Sequence, residues 1–249
     1  RPYKANRKVT MDQRTPKQME DDELFFEAYD DMIQFFNAKT NCSVIQQSNA
    51  EADDLIATWI QQHPEDKHVI ISTDSDFYQL LDDNVIQYNG TTDQIVSLDG
   101  FKNAKTGETV IDKKTNEPKK AIDPEFVLFE KCVRGDSSDN IFSAYPGARS
   151  KGTKNKTGIL EAYNDRNTGG FNYNNFMLQR WVDHEEQEHR VKDDFERNKI
   201  LIDLTAQPDE IKAEARQIVA NAVNKEPATQ VGIHFMKFCS KWNLSLIHI

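Results

Sequence analysis

The sequence predicts an α/β fold in which a parallel sheet with flanking helices is followed by a mostly helical region. Helical and strand patterns alternate through the N-terminal part of the chain, as they do in parallel α/β proteins. Residues 68–72 form a continuous apolar strand of the kind that a parallel sheet buries on both faces. We therefore predict an α/β domain at residues 1–122 and a helical region at residues 123–249.

The first elements are defined by helix-starting signals. Thr15 is a typical N-cap because Pro16 follows it and a glutamine stands three residues later. Apolar residues at spacings of three and four extend this helix to about Asn37. Residues 43–46 are predicted to form a short strand, and Ser48 is predicted to cap the next helix.

The middle of the chain contains further strands. After the apolar strand at residues 68–72, a helical turn is predicted at residues 77–81 and a strand at residues 85–88. Turn signals with apolar-polar alternation predict small hairpins over residues 90–120. Beyond them, the helices are predicted at residues 123–132, 157–164, 174–202 and 208–223.

The composition excludes several classes of protein. No apolar run approaches the roughly 20 residues of a membrane helix. Cys42, Cys132 and Cys239 are too widely spaced for a zinc site or a disulfide framework, so we predict a cytoplasmic protein in a reducing environment. The net charge of −10 fits nucleic-acid binding only if the acids surround cations and the bases are gathered elsewhere.

Three groups of acids stand at the ends of predicted elements. Residues 51–54 begin a helix, residues 74–76 follow the buried strand, and residues 136–139 follow a helix and a glycine. Each group alone also fits an ordinary helix cap or an Asx turn. In an open parallel sheet, ligands bind outside the carboxyl ends of the strands. We therefore expect the first two groups to open on the same edge.

Gathered carboxylates require neutralisation, because they repel one another and raise each other's pKa values. Carboxylate and water ligands suit Mg²⁺ or Mn²⁺ rather than zinc. Two such ions about 4 Å apart can activate a water and stabilise the leaving oxygen of a phosphodiester. The sequence contains no competing catalytic triad, H-x-x-x-H pair or glycine-rich phosphate loop. The acids therefore predict metal-dependent cleavage of phosphodiesters.

These motifs carry a family resemblance. Residues 51–57, E-A-D-D-L-I-A, resemble the first acidic run of the 5′-nucleases, the family of 5′-3′ exonucleases and flap endonucleases. Residues 72–80, S-T-D-S-D-F-Y-Q-L, and residues 135–141, G-D-S-S-D-N-I, are similar to its next two motifs. The three occur in the family's order, and the resemblance covers residues 3 to about 165.

The resemblance implies a Rossmann-like sheet of the PIN and 5′-nuclease type, followed by a helical DNA-binding region that contains a helix–three-turn–helix element. It implies a Mg²⁺-dependent nuclease that cuts DNA or RNA–DNA and removes RNA primers during replication, with two Mg²⁺ or Mn²⁺ ions. The metal-site acids that it implies are Glu51, Asp53, Asp54, Asp74, Asp76, Asp136 and Asp139.

Two basic segments complete the resemblance. Residues 3–7, Y-K-A-N-R, resemble the start of the family's helical arch, which gives Lys4 and Arg7 a catalytic role at the scissile phosphate and Tyr3 a DNA contact. Residues 146–151 depart from the family's P-G-h-G-x-K turn, and a longer basic loop replaces it. The loop residues predicted to bind duplex phosphates are Arg149, Lys151, Lys154 and Lys156.

The later segments, residues 157–166 and 198–203, look similar to the RNase H of T-even bacteriophages, so we expect a viral protein that acts in the cytoplasm of a bacterial host. The family's first two strands and their acids would precede Tyr3. We therefore interpret the chain as an N-terminally truncated fragment and expect exposed sheet edges at residues 44–45 and 69–71.

Two other functions stay open at this stage. A PIN-type endoribonuclease shares the fold and the acidic cluster. A junction-binding protein whose acid site is catalytically incomplete is the other alternative, since two of the family's acids would precede this chain. The partner implied by the resemblance is duplex DNA or RNA–DNA with a 5′ end or flap. A single-strand-binding protein or a sliding clamp is left open as a further partner, and a membrane is not expected.

Overall fold

The computed structural model describes residues 3–5, 11–222 and 226–244. The chain forms two compact units, one of residues 1–6 and 59–208 and the other of residues 7–58 and 209–249. The domain boundary predicted between residues 122 and 123 falls within the first unit. None of the described helices combines the length and the apolar character needed to cross a bilayer.

Helices account for most of the regular structure in both units. The acidic groups lie at the ends of these helices and of the strands. The helices are α1 (Pro16–Lys39), α2 (Ala52–Gln62), α3 (Pro124–Arg134), α4 (Ile159–Asn164), α5 (Phe171–Met177), α6 (Val191–Ile202), α7 (Asp209–Ala222) and α8 (Val231–Lys241).

A four-stranded sheet in the first unit follows the order of the chain. β1 (His68–Ile71) pairs in parallel with β2 (Val85–Asn89), and a 3₁₀ helix, Ser75–Leu80, lies between them. β3 (Gln94–Ser97) and β4 (Gly100–Asn103) extend the sheet with antiparallel pairing. The predicted α/β fold is therefore confirmed, and among the described strands the predicted parallel sheet consists of the β1–β2 pair, to which two antiparallel strands are added.

β1 lies at an edge of the sheet and pairs, among the described residues, with β2 alone. Val69 is 57% exposed and Ile71 is 77% exposed; the two side chains lie on the same face of β1, so that face of the edge strand is largely uncovered. The strand predicted at residues 43–46 is wrong, because no neighbouring strand pairs with it in the described chain. An apolar run becomes a strand only where a partner accepts and donates its backbone hydrogen bonds.

The helical part of the first unit packs around an aromatic and aliphatic core. Helices α3, α4, α5 and α6 contribute the buried side chains of Phe129, Val133, Ile159, Phe176 and Val191. Asp123 caps α3 by accepting a hydrogen bond from the Phe126 backbone N–H at 3.1 Å. This core fixes the position of α3, whose last residues lead into the third acidic group.

The long helix predicted over residues 174–202 is wrong. A hairpin of β5 (Arg180–Val182) and β6 (Glu188–Arg190) interrupts it. The side chain of Asp183 accepts hydrogen bonds from the backbone N–H groups of Glu185 and Gln187, both at 2.9 Å, which forms the turn. A short acidic side chain such as that of Asp183 can bond nearby backbone N–H groups and so stabilise a turn in place of a continuous helix.

The second unit contains α1, α7 and α8. The capping box predicted for α1 is confirmed, because the side chains of Thr15 and Gln18 bond each other's backbone N–H groups at the start of the helix. Phe35 of α1 is buried and packs on Phe235 and Phe238 of α8, with ring centroids 6.2 Å and 4.8 Å apart.

Candidate metal centre and nucleic-acid interface

The second acidic group lies at the carboxyl end of β1, as predicted. Asp74 caps the 3₁₀ helix, because its Oδ1 accepts from the Asp76 backbone N–H at 2.9 Å. The Ser72 hydroxyl accepts from the Asp74 backbone N–H at 3.0 Å. The fully buried Gln87 of β2 donates to the carbonyls of Ser72 and Asp74, both at 2.8 Å. These hydrogen bonds fix the backbone of residues 72–76 on both sides of Asp74.

The third acidic group lies in a tight turn after α3. Gly135 ends the helix with φ at +72°, and a Cβ there would stand 2.5 Å from the Ile141 carbonyl oxygen, so the turn requires glycine. Asp136 and Ile141 exchange two backbone hydrogen bonds, at 2.9 Å and 2.7 Å. The Asp136 carboxylate accepts from the Ser138 backbone N–H at 2.8 Å. This local bonding fixes Asp136.

Lys131, near the end of α3, joins the two acidic groups. Its ammonium lies 2.9 Å from Oδ2 of Asp136 and also bonds Oδ1 of Asp76. The Lys131 side chain is only 20% exposed. Carboxylates from two separate turns thus converge on one cation, which brings together residues that the sequence predicted to share a site.

The pKa shifts of the two carboxylates differ in direction. Burial raises the pKa of Asp76, and the charges of Asp74 and Asp136 act in the same direction against the lowering effect of Lys131. Burial alone would raise the pKa of Asp136, but hydrogen bonds from Lys131 and Ser138 lower it to about 2. Because the charges of Asp74 and Asp136 both act on the pKa of Asp76, the three carboxylates form one interacting group.

The predicted arch residues Tyr3 and Lys4 lie beside Asp139. The Tyr3 hydroxyl donates to Oδ2 of Asp139 at 3.3 Å, and the Lys4 ammonium stands 3.8 Å from the same oxygen. The Lys4 backbone N–H also donates to the Asp139 carbonyl at 3.0 Å. Arg7, the other predicted arch residue, lies outside the described residues.

The first acidic group stands at the start of α2. Glu51, rather than the predicted Ser48, precedes the first helical residue, and Oδ2 of Asp54 accepts from the Glu51 backbone N–H at 2.9 Å. The prediction of Ser48 as the cap is wrong, because Asp54 supplies the reciprocal half of a capping box one turn later. Glu51, Asp53 and Asp54 belong to the second unit, so their meeting with the other acids stays a prediction.

The kind of ligand in the first unit fits a hard divalent cation. Asp74, Asp76 and Asp136 offer carboxylate oxygens, which Mg²⁺ and Mn²⁺ prefer. Two of these carboxylates already converge on a positive charge. Within the described ranges, no three His, Cys, Asp or Glu side chains are arranged as the ligands of one metal. The Lys131 ammonium lies between Asp76 and Asp136 and contacts both carboxylates.

The basic loop at residues 149–156, which is predicted to contact DNA, is held together by hydrogen bonds between its own residues and its two ends. Thr153 and Lys156 form a backbone bridge. The Glu161 carboxylate accepts from the backbone N–H groups of Gly152 and Gly158, both at 2.9 Å, and so joins the two ends of the loop. The four basic side chains of the loop are exposed: Arg149, Lys151, Lys154 and Lys156.

Two residues of the site escaped the sequence reasoning. Gln87 gave a signal, because it is a polar residue within the apolar strand at residues 85–88, and such a residue usually has a buried hydrogen-bonding role. Lys131 gave none, since basic residues are common in the last turn of a helix. Its two partners lie in other turns of the chain.

Comparisons with known proteins agree with this geometry. Residues 1–113 match the family described as the N-terminal resolvase-like domain of 5′-3′ exonucleases. DNA polymerase I of Rhizobium leguminosarum is 32% identical over 130 residues, which are 51% of this chain and 11% of the polymerase. The chain thus spans about a tenth of the length of that relative.

Solved structures from bacteriophage T5 share the fold. A T5 protein crystallised with metal ions matches with a TM-score of 0.57 and 21% identity, over 96% of this chain and 77% of that one. The T5 5′-exonuclease with bound zinc matches with a TM-score of 0.58 and 22% identity, over 89% and 77%. A T5 flap endonuclease in a pseudo-enzyme-product complex with DNA and metal ions matches with a TM-score of 0.57 and 22% identity, over 90% and 77%.

The chain thus combines the fold shared with the T5 structures and acid-bearing turns at the end of a parallel strand and after a helix. Residues 1–113 of the chain are similar to the N-terminal resolvase-like domain of the 5′-3′ exonucleases. The prediction of the fold class is thereby confirmed, and the predicted family resemblance agrees with the match over residues 1–113.

Proposed function

We propose that the protein is a structure-specific 5′-nuclease, which hydrolyses phosphodiester bonds of DNA or RNA–DNA beside a 5′ end or flap. The observation that carries this proposal is that Asp76 and Asp136, from two separate turns, both contact the Lys131 ammonium. The charge of Asp74 acts on the pKa of Asp76, so Asp74 belongs to the same group of acids. The match of residues 1–113 to the N-terminal domain of 5′-3′ exonucleases supports the proposal. So does the structural likeness to a T5 flap endonuclease in complex with DNA and metal ions.

Divalent ions, Mg²⁺ or Mn²⁺, supply an activated water and stabilise the departing oxygen when two of them are bound. The acids of this chain would hold them and keep them close to the scissile phosphate. The set that we assign to this role comprises Asp74, Asp76, Asp136 and Asp139 of the first unit and Glu51, Asp53 and Asp54 of the second.

The basic residues would bind and orient the nucleic acid. Lys4, which stands beside Asp139, can pair with the phosphate that enters the acid site, and Arg7 would share that role. Tyr3 would contact the strand at the same place. The exposed loop cations Arg149, Lys151, Lys154 and Lys156 would bind the phosphates of the adjoining duplex, a contact that sets register without reading sequence.

Asp74→Asn and Asp136→Asn test the proposal. Each change removes one carboxylate charge while keeping the side-chain shape. We expect the rate of flap cleavage with Mg²⁺ to fall by about a hundredfold or more, while affinity for the flap substrate stays within about threefold because phosphate contacts dominate it. Asp83→Asn, in an exposed turn of the same unit, is the matched control. Undiminished turnover in both site variants would refute the assignment.

The choice of substrate separates this proposal from the alternatives. Flap DNA, RNA-primed DNA and single-stranded RNA are compared under the same conditions. Cleavage of the single-stranded RNA alone would indicate a PIN-type endoribonuclease, and tight flap binding without cleavage would indicate a catalytically incomplete junction-binding protein. Removal of RNA primers during replication predicts cleavage of the RNA-primed substrate. A single-strand-binding protein or a sliding clamp would increase that cleavage if it were a partner.

A further inference from the structure

We propose that Lys131 is a built-in counter-ion of the acid site, which neutralises Asp76 and Asp136 when divalent ions are absent and weakens the binding of those ions. This inference rests on the proposed function only in that divalent ions bind to these acids. It assigns to Lys131 an electrostatic role in metal binding that is separate from cleavage itself.

The location of Lys131 supports this role. Its ammonium contacts carboxylates from both acidic turns of the first unit, 2.9 Å from Asp136 and bonded to Asp76. The next two residues, Cys132 and Val133, are fully buried, so the backbone from which the lysine extends is fixed. Lys131 therefore reaches the two acids from a rigid helix.

The acidic turns do not need Lys131 to keep their shape. Asp136 is held by the Ser138 backbone N–H and by the paired backbone of Ile141. On the other side, Gln87 holds the carbonyl of Asp74, and Asp74 in turn accepts from the backbone of Asp76. If the ammonium were removed, the carboxylates would stay near their present positions and would carry an uncompensated negative charge.

The sign of the effect on metal binding follows from this arrangement. A divalent ion held by Asp76 or Asp136 would lie within several ångströms of the Lys131 ammonium, which contacts both carboxylates, so the two cations would repel each other. The lysine also holds the carboxylates together, which favours metal binding, but the local bonding described above makes that contribution small. The screened repulsion between a monovalent and a divalent cation several ångströms apart corresponds to about a tenfold change in affinity.

Lys131→Met tests the inference, because methionine keeps an unbranched apolar side chain and lacks the ammonium. Lys113→Met is the matched control, since Lys113 is exposed in the hairpin region of the same unit. Lys131→Arg keeps the charge. The chain is titrated calorimetrically with Mg²⁺ and then with Mn²⁺, in the absence of nucleic acid. Thermal unfolding is measured with and without each ion.

We expect Lys131→Met to bind the divalent ion about tenfold more tightly, while the control and Lys131→Arg stay within about threefold of the unmodified chain. Without metal, Lys131→Met should unfold at a lower temperature, because the carboxylates repel one another. With metal, its unfolding temperature should rise by more than that of the unmodified chain.

Equal or weaker metal binding by a folded Lys131→Met variant would overturn the inference and leave the nuclease proposal intact. If neither the unmodified chain nor Lys131→Met bound Mg²⁺ or Mn²⁺, the inference and the metal-dependent function would both be rejected. Tighter metal binding without flap cleavage by any of these proteins would support the inference and contradict the proposed nuclease activity alone.

Discussion

The side-chain amide of Gln87 donates to the backbone carbonyl of Asp74 at 2.8 Å and holds the acidic turn in place from the neighbouring strand. The same amide donates to the carbonyl of Ser72. The Oε1 atom of Gln87 is buried and has no hydrogen-bond partner among the described residues. A buried acceptor without a partner costs free energy. The two hydrogen bonds that Gln87 donates to the turn are therefore kept despite the cost of leaving its Oε1 unpaired among the described residues.

Gln87→Leu should therefore weaken both stability and metal binding. The change leaves two backbone carbonyls without their donor, so we expect the free energy of unfolding to fall by about 1–3 kcal/mol. Loss of an orienting partner behind a ligand typically weakens metal affinity by about 10- to 100-fold. Denaturant unfolding and calorimetric titration with Mn²⁺ measure the two effects. A loss of stability with unchanged affinity would show that Gln87 supports the fold and not the acids.

Asn198→Ala should destabilise the first unit without altering the acids directly. The fully buried Asn198 of α6 donates to the carbonyls of Cys132 at 2.9 Å and Phe142 at 2.7 Å. These bonds tie α6 to α3 and to the chain after the third acidic turn. We expect the free energy of unfolding to fall by about 2–4 kcal/mol, since two buried acceptors lose their donor. A denaturant midpoint within error of the unmodified chain would contradict this account.

Glu161→Gln should lower stability in a pH-dependent way. Burial alone would raise the pKa of Glu161, but the backbone N–H groups of Gly152 and Gly158 and the charge of Lys151 hold it below the usual 4.5. A carboxyl with a lowered folded pKa stabilises the protein above the unfolded pKa, and the contribution disappears as the pH falls through the folded value.

The measurement is the unfolding temperature of both proteins between pH 7 and pH 3. We expect Glu161→Gln to unfold at a lower temperature at neutral pH and the two curves to converge below pH 4.5, where the native carboxyl becomes protonated. A gap that stayed constant over this range would mean that the charge of Glu161 does not hold the loop. Glu108→Gln, on the exposed hairpin, serves as the control.

The basic loop should contribute to binding mainly through phosphates. Lys154→Gln and Lys156→Gln are each expected to weaken binding of flap DNA to a similar extent for different sequences. Each should reduce the slope of log affinity against log salt by about 1. Lys113→Gln is the control for a general change in charge. Fluorescence anisotropy over a range of salt concentrations gives the slopes, and slopes equal to that of the unmodified chain would exclude phosphate contacts by these lysines.

Local signals predicted the elements whose causes are local. The capping box of Thr15 and Gln18 was readable because the two partners are neighbours in sequence. The strand His68–Ile71 was readable because a continuous apolar run is itself a local signal, although its pairing partner lies further along the chain. The same holds for Asp74 and Asp76, which follow a buried strand and so lie at its carboxyl end. Their position could be inferred before any packing was known.

The elements that could not be predicted from the sequence depend on side-chain and backbone contacts that leave no periodic pattern in the sequence. The hairpin at residues 180–190 has helix-compatible charged residues, but Trp181 stacks on His189 with ring centroids 4.4 Å apart and favours the paired strands. The strand predicted at residues 43–46 lacked a partner. Lys131 finds Asp76 only through the packing of α3 beside the 3₁₀ helix, which no local pattern encodes.

The uncovered rim of the sheet has a practical consequence for handling the protein. Among the described strands β1 has one unpaired edge and an apolar face with Val69 and Ile71 exposed, and a strand of this kind favours the association of copies at high concentration. Such association favours precipitation over crystallisation. A charged substitution such as Ile71→Lys would discourage self-assembly at little cost, since the side chain that it replaces is already 77% exposed.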